Sequence, residues 1–278
     1  VIGVPHVETN GVCTHYKRTS VAAAQDGGAP TAVFVHGLGT DSLASFYLTL
    51  AAPLAAAGVE VIAYDLRGHG RSDRPRSGYQ VDDFVADLDG LLTELTVTSP
   101  VYLVGNSFGG TVAYAYAYRH PERVAGLVTI EAEPPTEVWA EKMNRLMGFT
   151  MALLDREDTF AWILANRGSH HARLARLAGE RMRATDMVVQ IPSGPMLTAE
   201  DLQQITCPVL NIIGDNGCQS EDPYFLQSLL PDCSTVVIED QDHSVLVEAH
   251  RTVRRLVLDW VHGRRDVAVP ASDGATSR

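Results

Sequence analysis

A serine framed by glycines, Gly105-Asn106-Ser107-Phe108-Gly109, follows the apolar run Val101-Tyr102-Leu103-Val104 and precedes a helical pattern over Thr111–Arg119. With 23 glycines in 278 residues, chance gives roughly 0.1 matches to GxSxG, so its strand–turn–helix context carries the weight. A sharp turn there presents the serine hydroxyl for nucleophilic attack. Side chains at Gly105 or Gly109 would meet the neighbouring strand and helix. The new helix turns its free N–H groups toward developing negative charge.

A serine nucleophile needs two oxyanion donors and a base. His36-Gly37-Leu38-Gly39 follows another buried run, and the backbone N–H groups of Leu38 and Phe108 are the candidate donors. His36 is read as structural, holding that loop, with Gly37 beside it. Asp242-His243-Ser244 stands after the last apolar run, and histidine titrates in the range a base requires. His243 is therefore the candidate base. His120, His170, His171, His250 and His262 fall in helices or in the long interval described below. The pair His170-His171 has no carboxylate cluster at metal-ligand spacing beside it, and reads as solvated.

Six short apolar runs carry these residues: Thr31–His36, Val59–Asp65, Val101–Gly105, Val124–Ile130, Pro208–Ile213 and Thr235–Ile238. They lack polar alternation, as expected of strands buried on both faces of a parallel sheet. Helical patterns alternate with them at about Ser42–Ala57, Val81–Leu95, Gly109–Arg119, Pro223–Leu230 and Ser244–Val261. This is a doubly wound α/β architecture. The chain before Thr31 supplies an antiparallel edge hairpin. From Pro134 to Leu202 there is no clear strand. Trp139, Met143, Leu146, Met147, Met151, Leu154, Trp162 and Ile163 recur there at helical spacing, and a structureless loop of that length would be out of place in a compact domain. The interval is read as a helical cap, its Met and aromatic stripe serving as core and, over a site, as pocket wall. The expected organisation is a core of 1–133 and 203–263, a cap of 134–202, and a disordered polar tail of 264–278.

The HGxG loop, Asp65-Leu66-Arg67-Gly68-His69-Gly70-Arg71-Ser72, the GNSFG turn and the late histidine together resemble the α/β-hydrolase superfamily. The resemblance covers about Thr31 to Val261. It implies the α/β-hydrolase fold, a mostly parallel doubly wound sheet with a helical lid insertion, and a Ser-His pair at its centre. It also implies that DLRGHGRS is a structural loop. Members with this layout usually carry the third, acidic residue after the penultimate strand in a GxxD pattern. Here that strand ends Gly214-Asp215-Asn216-Gly217, so glycine holds the acid's place and Asp215 comes two residues early. Some dehalogenases, lactonases and polyketide-releasing thioesterases of the superfamily place the acid one strand after the nucleophile. Glu131 has that position here, at the carboxyl edge of the sheet where ligands bind, and a charge there needs a partner. Asp215 and Glu133 stay open as alternatives.

The resemblance points to hydrolysis of an ester, lactone or thioester through an acyl-enzyme. Serine rather than aspartate at the turn argues against the haloalkane and epoxide branches, which use a carboxylate nucleophile. A long apolar lid favours a bulky apolar acyl group, small or carrier-tethered, as in a polyketide-type thioesterase or a lactonase. Non-hydrolytic chemistry on the same pocket, cyclisation or elimination, and a ligand-binding role without turnover are the rivals. No metal or organic cofactor is implied.

Bulk properties fit a soluble enzyme. Hydrophobic residues make up 45% and charged residues 20% of the chain, enough for a sizeable core. The net charge of −12 opposes nucleic acid and anionic lipid as partners. Cys13, Cys207, Cys218 and Cys233 show no metal-type spacing and are expected to be free thiols, with Cys218 near a possible pocket. The chain opens on Val1, as in a trimmed start. It shows no signal peptide and no long apolar span, so a cytoplasmic location is expected.

Overall fold

The computed structural model describes residues 4–19, 28–217 and 219–265. Eight strands form one sheet in the order β1-β2-β4-β3-β5-β6-β7-β8. The amino-terminal hairpin is β1 (His6–Thr9) and β2 (Val12–Thr19), and it joins the sheet antiparallel along β4 (Glu60–Tyr64). The remaining neighbours are parallel: β3 (Thr31–Val35), β5 (Val101–Asn106), β6 (Val124–Ile130), β7 (Val209–Gly214) and β8 (Cys233–Ile238). The strand ends differ from the sequence reading by a residue or two, as terminal positions do.

Both faces of the sheet are covered. Val33 and Val35 of β3 belong to one hydrophobic cluster, and Ala32 and Phe34 to another. That is why the run shows no polar alternation. Helices α3 (Val81–Glu94) and α4 (Phe108–Arg119) cover the first face. Helices α1 (Ala44–Phe46) and α2 (Ala52–Ala56), with α10 (Val245–Glu248) and α11 (His250–Val261), cover the second.

Two expected helices are interrupted. Between α1 and α2 the backbone forms a π turn over Tyr47–Ala51. Pro53, in the first turn of α2, has no N–H to continue the regular ladder. The expected Ser244–Val261 helix divides at Ala249, where φ is −103° and ψ 24°.

Between β6 and β7 lie only helices: α5 (Glu137–Leu154), α6 (Glu157–Ala184), α7 (Met187–Gln190) and α8 (Ala199–Leu202). α6 is broken at Gly168, whose φ of 84° and ψ of 171° are not helical. Trp139, Met143, Met147 and Leu154 bury one stripe of α5, while Leu146 and Trp162 are exposed. The short helix α9 (Phe225–Leu229) precedes β8. Residues 266–278 of the expected tail, and Cys218, lie outside the described residues.

The strand order reverses at β3 and β5, since β4 lies on one side of β3 and β5 on the other. The crevice at the carboxyl ends of strands flanking such a reversal is the usual ligand site of an open α/β sheet.

Candidate active site

The carboxyl ends of five parallel strands converge on that crevice. β5 runs into Ser107 and α4 starts at Phe108. Ser107 has φ 52° and ψ −124°, a left-handed conformation that costs about 1–3 kcal/mol in a residue with a side chain. Its N–H donates to the Ile130 carbonyl at 2.8 Å, and its carbonyl accepts from Gly110 at 2.9 Å. Three glycines make the turn possible. A Cβ at Gly109 would sit 1.9 Å from the Val35 carbonyl oxygen, one at Gly105 2.5 Å from that of Gly109, and one at Gly110 2.3 Å from the Ala132 Cβ. The role of Gly110 was not read from the sequence, although the Gly109-Gly110 doublet is its trace.

His243 lies between β8 and α10. Its Nε2 is 2.9 Å from Ser107 Oγ, and its Nδ1 is 3.2 Å from Glu131 Oε2. With Nδ1–H donated to the carboxylate, the Nε2 lone pair faces the serine hydroxyl, the tautomer a base requires.

Glu131 follows β6 with φ 50°. Its side chain is fully buried, and its Oε1 accepts the Gly214 amide hydrogen. The charge is thus paired on both oxygens, as a buried carboxylate must be. Gly217, where the superfamily pattern has its acid, is part of the same arrangement. A Cβ there would lie 2.7 Å and 2.8 Å from the two Glu131 carboxylate oxygens. The carboxylate from β6 fills the space a side chain at 217 would need. This reciprocity links residues distant in sequence and left no local signal.

The alternative acids point elsewhere. Asp215 is exposed, and its Oδ1 accepts from the Gln241 amide at 3.2 Å and Asn216 Nδ2 at 3.1 Å. Glu133 pairs with Lys142 and accepts from the Ser220 amide at 2.7 Å. Of the three carboxylates, Glu131 is the one hydrogen-bonded to His243.

The His36–Gly39 loop lies against the serine turn: a Cβ at Gly37 would be 3.3 Å from Ser107 Cβ. His36 is fully buried. Its Nδ1 donates to the Gly37 carbonyl at 2.7 Å and its Nε2 accepts from the Leu66 amide at 3.0 Å. Asp41, not singled out from the sequence, clamps the loop by accepting from Gly37 N at 2.7 Å and Ser42 N at 2.8 Å. Phe108 opens α4, so its N–H has no intrahelical acceptor.

The Asp65–Ser72 segment braces the region. Asp65 accepts from His15 Nδ1 at 2.7 Å and from the amides of Leu43 and Arg71, each at 2.9 Å. Burial pushes the Asp65 carboxyl up, but these hydrogen bonds outweigh it and hold it below the usual carboxylate range. Burial holds His69 far down, at about 3, with His36 adding to the effect.

The serine opens into a cavity of about 200 Å³. Trp139, Met143 and Leu146, spaced along one face of α5, line it with Lys142. Neither Lys142 nor Gln219, which also lines it, carries a local sequence signal. The His170 and His171 side chains are exposed, and no group of side chains suited to a metal ion occurs among the described residues. Cys13, Cys207 and Cys233 are free thiols. Burial pushes Cys207 and Cys233 up to about 12, which makes them poor nucleophiles. Among the described residues no helix is long and apolar enough to cross a membrane.

Residues 32–256 match the model of the alpha/beta hydrolase family. The non-heme chloroperoxidase of Streptomyces lividans is 42% identical over 81 residues, covering 29% of this chain and 29% of that protein. Epoxide hydrolase B of Mycobacterium tuberculosis (strain ATCC 25618 / H37Rv) is 36% identical over 207 residues, covering 62% of this chain and 57% of that protein. The match thus spans less than two thirds of the length of either relative. The enol-lactonase from Burkholderia xenovorans LB400 superposes with a TM-score of 0.70 at 22% identity, over 93% of this chain and 100% of that one, a likeness of fold. By the extent of the family match and the architecture that carries it, the chain belongs to the alpha/beta hydrolase family.

Proposed function

We propose that the protein is a serine hydrolase of esters, lactones or thioesters, with Ser107 as nucleophile, His243 as base and Glu131 as the acid that orients it. The observation that carries this reading is the hydrogen-bonded chain from Ser107 Oγ through His243 to the buried Glu131 carboxylate, at 2.9 Å and 3.2 Å.

The hydrogen-bonded chain supports the following roles. His243 Nε2 takes the Ser107 proton as Oγ attacks the acyl carbon. The amides of Leu38 and Phe108 hold the oxyanion. Glu131 stabilises the imidazolium without taking its proton. His243 then protonates the leaving oxygen or sulfur, the bond to it breaks, and an acyl-serine remains. Water, deprotonated by the same imidazole, attacks the ester and releases the acid. Branches of this superfamily that open epoxides use a carboxylate at the turn, so the serine supports acyl transfer.

The substrate is a small-molecule or carrier-tethered acyl compound. The apolar wall of Trp139, Met143 and Leu146 favours a bulky apolar acyl group, as in release of a long chain from a thioester or opening of a large lactone.

A panel of p-nitrophenyl esters, lactones and acyl thioesters, with product identification, tests the proposal. The free acid is expected, with a loss on the order of 10⁶ in kcat for Ser107→Ala. A rearranged carbon skeleton with no acid would make the protein a cyclase or lyase. Ligand binding retained in Ser107→Ala, with no turnover by the wild type, would make it a binding protein.

A further inference from the structure

The catalytic cavity, at about 200 Å³, is smaller than the roughly 300–1,000 Å³ usual for small-molecule sites. A second cavity of about 300 Å³ adjoins it. Glu133 and Gln219 line both. The partition between them therefore includes side chains. Glu133 is held there by Lys142 on one oxygen and by the Ser220 amide on the other.

The second cavity is walled by Pro134, Met196, Leu197, Leu202, Leu226 and Leu229. Asn211 of β7 also lines it and is 2% exposed. Its Oδ1 accepts from Thr129 Oγ1 at 3.0 Å. Among the described residues its amide nitrogen has no protein acceptor, and it is not one of the fully buried atoms left without a partner, so it can serve a group in the cavity. Glu137, Glu221 and Asp222 stand at the exposed parts of the lining, and no Lys or Arg lines the cavity among the described residues. An anionic chain end would be repelled there.

We propose, resting on the hydrolase reading above, that this cavity is the specificity subsite for the acyl arm of the substrate. The arm passes Glu133 and Gln219. It is apolar and uncharged at its far end, where an ether, hydroxyl or carbonyl oxygen accepts the Asn211 amide hydrogen. Fatty chains ending in a carboxylate are excluded.

Methionine methyl groups report on the two cavities separately, since Met143 lines the first and Met196 the second. Methyl-¹³C-methionine NMR of the full chain follows them, with Met196→Leu for assignment. An ethyl fluorophosphonate adduct on Ser107 shifts the Met143 signal alone, whereas a decyl adduct shifts both. A decyl adduct that leaves Met196 unmoved overturns the proposal. Leu226→Trp, or Leu229→Phe should that variant fail to fold, lowers the ratio of kcat/KM for decanoyl over acetyl esters about tenfold or more. An unchanged ratio overturns it. If Ser107 accepts no fluorophosphonate, the hydrolase reading fails by itself. Decan-1-ol titrated against the Met196 signal then tests the cavity alone: a saturable shift supports an apolar-arm site, and no shift removes it.

Discussion

At the scale of single residues, the site turns on which carboxylate serves His243. Glu131 is buried, paired with the imidazole and with the Gly214 amide, while Asp215 is exposed and occupied with Gln241 and Asn216. With the proposed role, Glu131→Gln removes the charge that would fix the tautomer, and kcat should fall on the order of 10³-fold or more. Asp215→Asn should cost far less, and the reverse ranking would overturn the assignment. Gly217 is a positioning residue for the Glu131 carboxylate. Gly217→Ala pushes a methyl group into the Glu131 carboxylate, and displacing the acid should lower kcat about 10²-fold. KM and thermal stability should change much less. A loss of stability with kcat preserved would reduce Gly217 to packing. His243 is legible in the sequence because it stands in the loop between the last strand and the last helices, and Ser107 because it follows a buried run directly. Glu131 is legible for the same reason. Gly217 is legible only as a missing acid, because its contact with Glu131 spans 86 positions and two strands.

At the scale of elements, the serine turn exists only because α4 can approach β3 and β5 closely. Gly109→Ala would place a methyl group against the Val35 carbonyl oxygen. Overpacking of this kind costs about 1–3 kcal/mol, occasionally more, and backbone atoms cannot yield as a flexible side chain can. Thermal unfolding of Gly109→Ala should show a Tm drop of several degrees, and an unchanged Tm would mean that α4 can shift freely. The strands were readable because all five residues of β3 and nearly all of β6 are buried, which leaves continuous apolar runs. The helix interruptions were less so. The π turn at Tyr47–Ala51 leads into Pro53, the expected Ser244–Val261 helix breaks at Ala249, and neither feature alters the apolar periodicity. Gly168 breaks α6 in an exposed stretch where its neighbours keep a helical pattern.

At the scale of the whole molecule, the loops around the site rest on buried polar groups that titrate. Unfolded, His69 has its ordinary pKa of about 6.5; folded, burial holds it at about 3. Between these values the unfolded chain binds a proton that the folded chain does not. His69 therefore contributes fully to stability above pH 6.5, and that contribution is lost as pH falls toward 3. The Asp65 carboxylate, held below its ordinary range, adds a loss at lower pH, beginning near 4. Urea unfolding at pH 7 and pH 4.5 should show the wild type losing about 2 kcal/mol more than His69→Asn. Equal losses would assign the acid sensitivity to other groups. The two adjoining cavities belong to this scale as well. Their walls come from the start of α4, the segment after β6, α5, the segment before β7, β7 itself and α9, so no local stretch of sequence reveals them.

Activation of Ser107 by His243 and Glu131 is the core of the proposed mechanism. Covalent labelling with a fluorophosphonate, read by intact mass and peptide mapping, tests it most directly. A single adduct on Ser107 is expected, lost in His243→Ala and slowed strongly in Glu131→Gln. A reagent shown by the Met143 signal to enter the catalytic cavity, yet leaving Ser107 unmodified, would contradict it.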